Sequence, residues 1–195
     1  MYARPVTVSV ARARWLAEGH LAGTLPRRWT HVRAVGTKSA AIAPQLFDEL
    51  DSAVLVASAW LHDIGYAPEL VETGFHPLDG ARWLRRQGFD ERVTALVAHH
   101  SCARLEAAER DLRADLENEF GLEESPVSDA LWYADMTTGP DGQDFEVTDR
   151  LAEVRSRYGP DDVVTRFIVR AGPDLVAAVR RTEERLRATA GVQPT

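Results

Sequence analysis

The sequence has little cysteine, no long apolar run and no excess of positive charge. Its one cysteine, Cys102, cannot form an internal disulfide and excludes a cysteine-rich zinc site. No uninterrupted apolar stretch reaches the roughly 18 residues that a membrane span requires, and the first residues lack the apolar core of a signal peptide. These absences predict a soluble, cytoplasmic protein without a membrane partner.

Acidic side chains outnumber basic side chains in the sequence. The 195 residues include 30 acidic and 23 basic side chains, which gives a formal net charge of -7. Because proteins bind duplex nucleic acid mainly through basic patches, we expect no such partner. A small anion is compatible with this balance, since a few well-placed arginines are enough to hold it.

Apolar residues recur at helical spacing, and strand-like alternation is nowhere sustained. We therefore predict an all-α fold, a single-domain helical bundle. Pro44 is expected to end the second helix at Ala43, because a proline disfavours helical geometry in the residue before it. The predicted helical segments are 7–21, 26–43, 48–63, 76–88, 90–100, one or two helices within 103–120, 125–136, 161–171 and 174–189.

Histidines are concentrated at helix ends and beside turns. Nitrogen and carboxylate oxygen are the ligands that divalent metals take where thiolates are absent. Adjacent helical residues diverge by about 100°, so His62 and Asp63 can reach one ion together only near a helix end, and a turn follows them directly. The five histidines in such positions are His31, His62, His76, His99 and His100.

An ordered set of these residues resembles a known metal-binding signature. His31, the doublet His62-Asp63 and Asp135 are similar to the H…HD…D pattern of the HD-domain superfamily of metal-dependent phosphohydrolases. Gly65, in "HDIG", also fits that pattern. The resemblance implies a helical bundle of the HD-domain type in which these four polar residues bind one divalent metal ion.

The resemblance also implies a second ion. His76 and His99 match the positions that binuclear members use for it, and Asp63 would bridge the two ions. The pattern does not choose among Fe, Mn, Co, Ni, Zn and Mg.

The domain organisation follows from the extent of the resemblance. We expect an N-terminal helix packing on the core in 1–24, the metal-binding core in 25–140, and C-terminal helices of the same domain in 141–195. A monomer and a homodimer are both compatible with the sequence.

Either histidine of the doublet His99-His100 could be the metal ligand. His99 is the preferred ligand, because Val93, Leu96 and Val97 place it nearer the buried face of its helix. His100 is then expected to contact phosphate or to relay a proton.

The activity that the resemblance implies is removal of phosphate from a small phosphorylated metabolite, with nucleotides as the favoured class. A metal-activated water would attack the phosphorus. The residues expected to take part in catalysis are Asp63, His100 and Tyr66.

Basic and aromatic residues near the ligand positions are candidates for substrate binding. Arg27 and Arg28 lie about one turn before the first histidine and can meet phosphate oxygens. Trp29, beside them, could stack on a nucleobase. Lys38 and Arg82, on helices expected to pack in the interior, are the other cations expected to bind the substrate.

Two positions depart from related branches of the superfamily. Arg27 stands where the cyclic-dinucleotide-cleaving HD-GYP branch has a glutamate for a third metal, which argues against a trinuclear centre. Tyr66 stands where that branch has lysine, and the GYP signature is absent. In the single-metal nucleotidase branch a glutamate after the doublet acts on the leaving group. In this chain Tyr66 and Glu69 follow the doublet, so the sequence does not decide which residue is the general acid.

Two other functions remain alternatives. A small branch of the superfamily uses similar ligands for a mixed-valence di-iron oxygenase, but its phosphonate-cleaving members carry a tyrosine and a glutamate before the first histidine, where this chain reads "PRRWT". A non-catalytic ligand-binding protein would be expected to have lost a ligand, and the pattern is complete.

Overall fold

The computed structural model describes residues 8–191 and confirms the all-α fold. Within that range the chain has no strand, apart from one isolated bridge between Thr138 and Asp144. None of the described helices is long and apolar enough to span a membrane. The α-helices are α1 (Val10–Leu21), α2 (Pro26–Leu46), α3 (Glu49–Leu61), α4 (His76–Arg86), α5 (Glu91–His99), α6 (Ala103–Glu109), α7 (Arg113–Glu119), α8 (Pro126–Met136), α9 (Val147–Ser156) and α10 (Val163–Ala190), with 3₁₀ helices at Ile64–Tyr66, Pro68–Leu70 and His100–Cys102.

Side-chain caps fix the start of half of these helices. In each case a short polar side chain accepts a hydrogen bond from a backbone N–H of the first turn, which would otherwise have no partner. The capping residues are Ser9 for α1, Asp48 for α3, Asp90 for α5, Ser125 for α8 and Asp162 for α10.

Helix α3 is the centre of the larger hydrophobic core. All eight residues of its second half, from Val54 to Leu61, are buried, as expected for a segment that is apolar on every side. It packs against α1, α2, α5 and α8. A smaller core lies among α8, α9 and α10, and Trp132 and Tyr133 of α8 contact both cores.

The second helix does not end at Ala43. Helix α2 continues through Pro44 to Leu46, so the predicted boundary is wrong. Ile42 and Ala43 are buried against the core. Their packing outweighs the single helical hydrogen bond that a proline in the last turn cannot donate.

The C-terminal part of the chain also differs from its prediction. Segments 161–171 and 174–189 form one continuous helix, α10, with Pro173 inside it. Helix α9 was not predicted, although its buried residues Val147, Leu151 and Val154 have helical spacing. Position 7 of the first predicted helix and positions 192–195 of the C-terminal segment lie outside the described residues.

A close approach of two backbones shapes the turn after α3. A Cβ atom on Gly65 would lie 2.1 Å from the carbonyl oxygen of His76 and 2.6 Å from the backbone nitrogen of Gly80. Only glycine allows this contact, which brings the start of α4 against the residues that follow His62 and Asp63.

Replacing Gly65 with alanine is therefore expected to lower the free energy of unfolding by about 1–3 kcal/mol, because the added methyl group meets backbone atoms that cannot rotate away. The matched control is Gly19→Ala in α1, where a Cβ meets nothing within 4 Å. That variant should be neutral or more stable by about 0.5–1 kcal/mol. Denaturant titration measures both values, and equal stabilities would contradict the packing described here.

Candidate metal centre

Six ionisable side chains converge where four helix ends and one helix side meet. They come from parts of the chain that are far apart in sequence, and the core around α3 holds their backbones in place. The residues are His31 of α2, His62 and Asp63 at the end of α3, His76 at the start of α4, His100 just after α5, and Asp135 of α8.

The carboxylate of Asp63 joins two groups of histidines. Its Oδ2 atom lies 3.4 Å from Nε2 of His62 and 3.8 Å from Nε2 of His31. Its Oδ1 atom lies 3.2 Å from Nε2 of His76 and 3.9 Å from Nε2 of His100. Within each group the possible ligand atoms lie within 4.8 Å of one another. One carboxylate is thus placed to serve two ions.

Asp135 adds a second carboxylate to the first group. Its Oδ1 atom lies 3.1 Å from Nε2 of His31 and 3.9 Å from Nε2 of His62. Its other oxygen accepts a hydrogen bond from the hydroxyl of Ser101. Burial raises the pKa of Asp135, but the hydrogen bond from His31 and the nearby His62 outweigh it, so the pKa lies below its ordinary value.

Backbone carbonyls orient three of the histidines. Because a carbonyl oxygen only accepts hydrogen bonds, each Nδ1 carries a proton, which leaves each Nε2 as the atom that can bind an ion. The pairs are His31 with Gly139 at 3.1 Å, His62 with Ala59 at 2.8 Å, and His100 with Val97 at 2.7 Å.

This arrangement fits a bound cation. The Nε2 atoms of His31 and His62 are 3.4 Å apart, which is close enough for one ion to contact both. Four imidazole nitrogens and two carboxylates form a donor set suited to borderline and hard divalent metals, so the residues present fit the metal that the sequence pattern implied.

Neighbouring cations and hydrogen-bond donors keep the buried carboxylates of the cluster charged. Burial raises the pKa of Asp63, but Arg28 and His62 outweigh it and hold that pKa well below its usual range. Burial lowers the pKa of His62, but Asp63 raises it more strongly, to about 9, so a metal ion bound at Nε2 would have to displace a proton. For His100, burial together with His76 lowers the pKa to about 3, so this imidazole stays neutral and keeps a lone pair.

His99 is not part of the cluster, which corrects the preference for it over His100. Its Nε2 donates a hydrogen bond to the carbonyl of Phe120 at 2.9 Å. It lines a separate cavity of about 500 Å³, with Cys102 and Trp132 among the other lining residues. His99 and His100 are both buried. The burial that the apolar spacing predicts could therefore not show which of the two joins the cluster.

The backbone leaves helical geometry at His100, where φ is -59° and ψ is 148°, so His99 belongs to α5 and His100 does not. After α5 the chain has left-handed conformations at Ser101, with φ 47°, and at Cys102, with φ 61°. Such conformations are costly for residues other than glycine. Ser101 uses this geometry to reach Asp135. The sequence analysis did not identify Ser101, because no local signal announces left-handed backbone after the two histidines.

Two of the expected substrate-binding residues and Tyr66 lie beside the cluster. Arg28 donates a hydrogen bond from Nη1 to Oδ2 of Asp63 at 2.7 Å, and its guanidinium lies 4.1 Å from the ring centroid of Tyr66. Tyr66 in turn stacks on His76, with centroids 3.9 Å apart. Arg27 pairs with Asp141 at the surface and lines a cavity next to His31.

The structure places Trp29, Lys38 and Arg82 away from the cluster, so their expected role in substrate binding stays a prediction. None of the three lines either cavity at the cluster. Each is engaged elsewhere: Trp29 packs on Trp60, Lys38 bonds to Thr137 and Asp144, and Arg82 bonds to Glu119.

The cluster opens into a cavity of about 430 Å³. Asp63, His76, His100 and Asp135 form its floor, and apolar residues of α9 and α10 form much of its wall. A substrate can therefore reach the ligand set while its remainder contacts a partly apolar surface.

Comparison with known proteins gives one family match. A family model described as "HD domain" matches residues 28–152, which include all six residues of the cluster. A search of curated proteins and a search of solved structures gave no match.

Neighbouring histidine variants test the ligand assignment. His100→Ala is expected to weaken binding of Mn²⁺ by more than the roughly 10–100-fold that loss of an outer hydrogen-bond partner costs, because a direct ligand is removed. His99→Ala should bind Mn²⁺ like the wild type. Isothermal titration with MnCl₂ measures both, after thermal unfolding has shown that each variant folds. The reverse order of the two variants would contradict the assignment.

Proposed function

The chain belongs to the HD domain family, and on that basis we propose that it is a metal-dependent phosphohydrolase acting on a small phosphorylated metabolite, with nucleotides as the favoured class. The observation that carries the proposal is the carboxylate of Asp63, whose two oxygens face two separate histidine groups. A shared carboxylate can hold two ions close together, as a two-metal hydrolytic site needs.

The residues that would hold the ions follow from the geometry. His31, His62, Asp63 and Asp135 would hold the first, and His76 and His100 would hold the second together with Asp63. When bound, divalent ions supply Lewis acidity toward a phosphoryl oxygen and lower the pKa of water.

The side chains around the ions have separate tasks in this proposal. Arg28 lies at the cavity beside Asp63 and can donate hydrogen bonds to a phosphate oxygen. The hydroxyl of Tyr66 is the proposed proton donor to the leaving group, since Tyr66 lines the same cavity and its ring is held between His76 and Arg28. Glu69 pairs with His20 and lines neither cavity at the cluster.

The two rival functions make different demands on the centre. A mixed-valence di-iron oxygenase would use the same nitrogen and oxygen donors, so iron content with the absorption of a coupled iron pair distinguishes it. A non-catalytic protein would be favoured by His31 and Asp135 pointing apart. They lie 3.1 Å from each other, which supports the catalytic proposal.

Loss of Asp63 tests the proposed function. Asp63→Ala should abolish hydrolysis of p-nitrophenyl phosphate and of a nucleotide panel, and should lower metal content, because one side chain serves both ions. Asp115→Ala, on the exposed side of α7, is the matched control and should retain both. Phosphate release and elemental analysis are the measurements. Wild-type protein that carries metal but hydrolyses none of these esters would refute the proposal, and so would full metal content in Asp63→Ala.

A further inference from the structure

A buried arginine near the cluster, Arg150, is not one of the six cluster residues. Arg150 of α9 is only 6% exposed, and its Nε atom has no hydrogen-bond partner among the residues that the structure describes. A buried donor without a partner costs free energy. Glu153 accepts from another nitrogen of the same guanidinium, so it is the Nε–H of Arg150 that lacks an acceptor within residues 8–191.

Arg150 lies where two cavities meet. It lines the cavity whose floor includes Asp63, and it also lines a neighbouring cavity of about 340 Å³ beside His31. Arg157 lines both cavities as well, seven residues and so about two turns further along. The two guanidiniums thus face a space that is continuous with the proposed reaction site.

The neighbouring cavity is unusually basic. Arg27, Arg28, Arg150 and Arg157 line it, and no carboxylate is among the described residues of its wall. This concentration of arginines contrasts with the acidic balance of the whole chain.

Three carboxylates pair with these four arginines. Glu153 serves two of them, accepting from Arg150 and from Nε of Arg157 at 3.0 Å. Asp141 pairs with Arg27, and Asp63 pairs with Arg28. Four guanidiniums thus share three carboxylates at the smaller cavity. The wall of the larger cavity, which Arg150 and Arg157 also line, adds Arg110, Glu106 and Asp162.

We propose that Arg150 and Arg157 form a second anion subsite, which binds a phosphate group of the substrate other than the one removed at the cluster. The proposal rests on the proposed function and narrows the substrate class to compounds with two phosphate groups, such as nucleoside bisphosphates. Planar guanidinium forks suit phosphate oxygens in particular, because they can donate two parallel hydrogen bonds.

Kinetics test the subsite through substrate preference. Wild-type protein should have a KM for adenosine 3′,5′-bisphosphate at least about tenfold below that for adenosine 5′-monophosphate, since a hydrogen bond to a charged group has an effect of that order. Arg157→Gln should raise the KM for the bisphosphate at least about tenfold more than the KM for p-nitrophenyl phosphate. Similar KM values for the two nucleotides would overturn the proposal.

A matched control lies on the same helix. Arg155 is exposed and lines neither cavity, so Arg155→Gln should keep the wild-type preference. Arg157 is itself exposed at the end of α9, and its replacement leaves the cores intact. Arg157→Gln therefore tests the subsite even if Arg150→Gln fails to fold.

Direct binding separates the subsite from the activity. Isothermal titration of metal-free protein with pyrophosphate should show binding that Arg157→Gln weakens at least about tenfold and Arg155→Gln leaves unchanged. Such binding without hydrolysis of any ester would support the subsite and refute the proposed function. Equal pyrophosphate affinities in the wild type and Arg157→Gln would overturn the subsite, whatever the activity.

Discussion

The buried carboxylate of Asp63 is the feature on which the rest of the centre depends. It is only 3% exposed, and a carboxylate at such depth keeps its charge only where cations or hydrogen-bond donors surround it. Arg28 and two histidine groups meet that requirement from different sides. Arg28 and these histidines come from separate helices. The helices must therefore pack in fixed positions around Asp63 for all of its partners to reach it.

The scaffold around Asp63 explains why the ligands sit at helix ends. Helix α3 is buried along its second half and so has little freedom to shift. The 3₁₀ turn that follows it lets two adjacent residues point toward one place, which the interior of a helix would not allow. Close packing at Gly65 then brings α4 and His76 to the other oxygen of the same carboxylate. Carbonyl partners fix the imidazole rings before any ion arrives.

Much of this architecture was predictable from the sequence, because helical periodicity and the order of His31, His62-Asp63, His76 and Asp135 are local features of the chain. The choice of His100 over His99 was not, because α5 ends at His99 and the backbone of His100 is no longer helical, which helical spacing does not reveal. The partners of the long cationic side chains could not be predicted from the sequence either. These side chains are longer than one helical turn, and their partners lie in distant segments. The arginines of α9 were missed together with their helix. The division of the chain at residues 24 and 140 stays a prediction.

The central claim is that one carboxylate organises two metal sites. Anomalous diffraction from crystals grown with Mn²⁺ tests it most directly. Two anomalous peaks on opposite sides of the Asp63 carboxylate, one against His31 and His62 and the other against His76 and His100, are the predicted result. A single peak, or two peaks of which neither contacts Asp63, would contradict the claim.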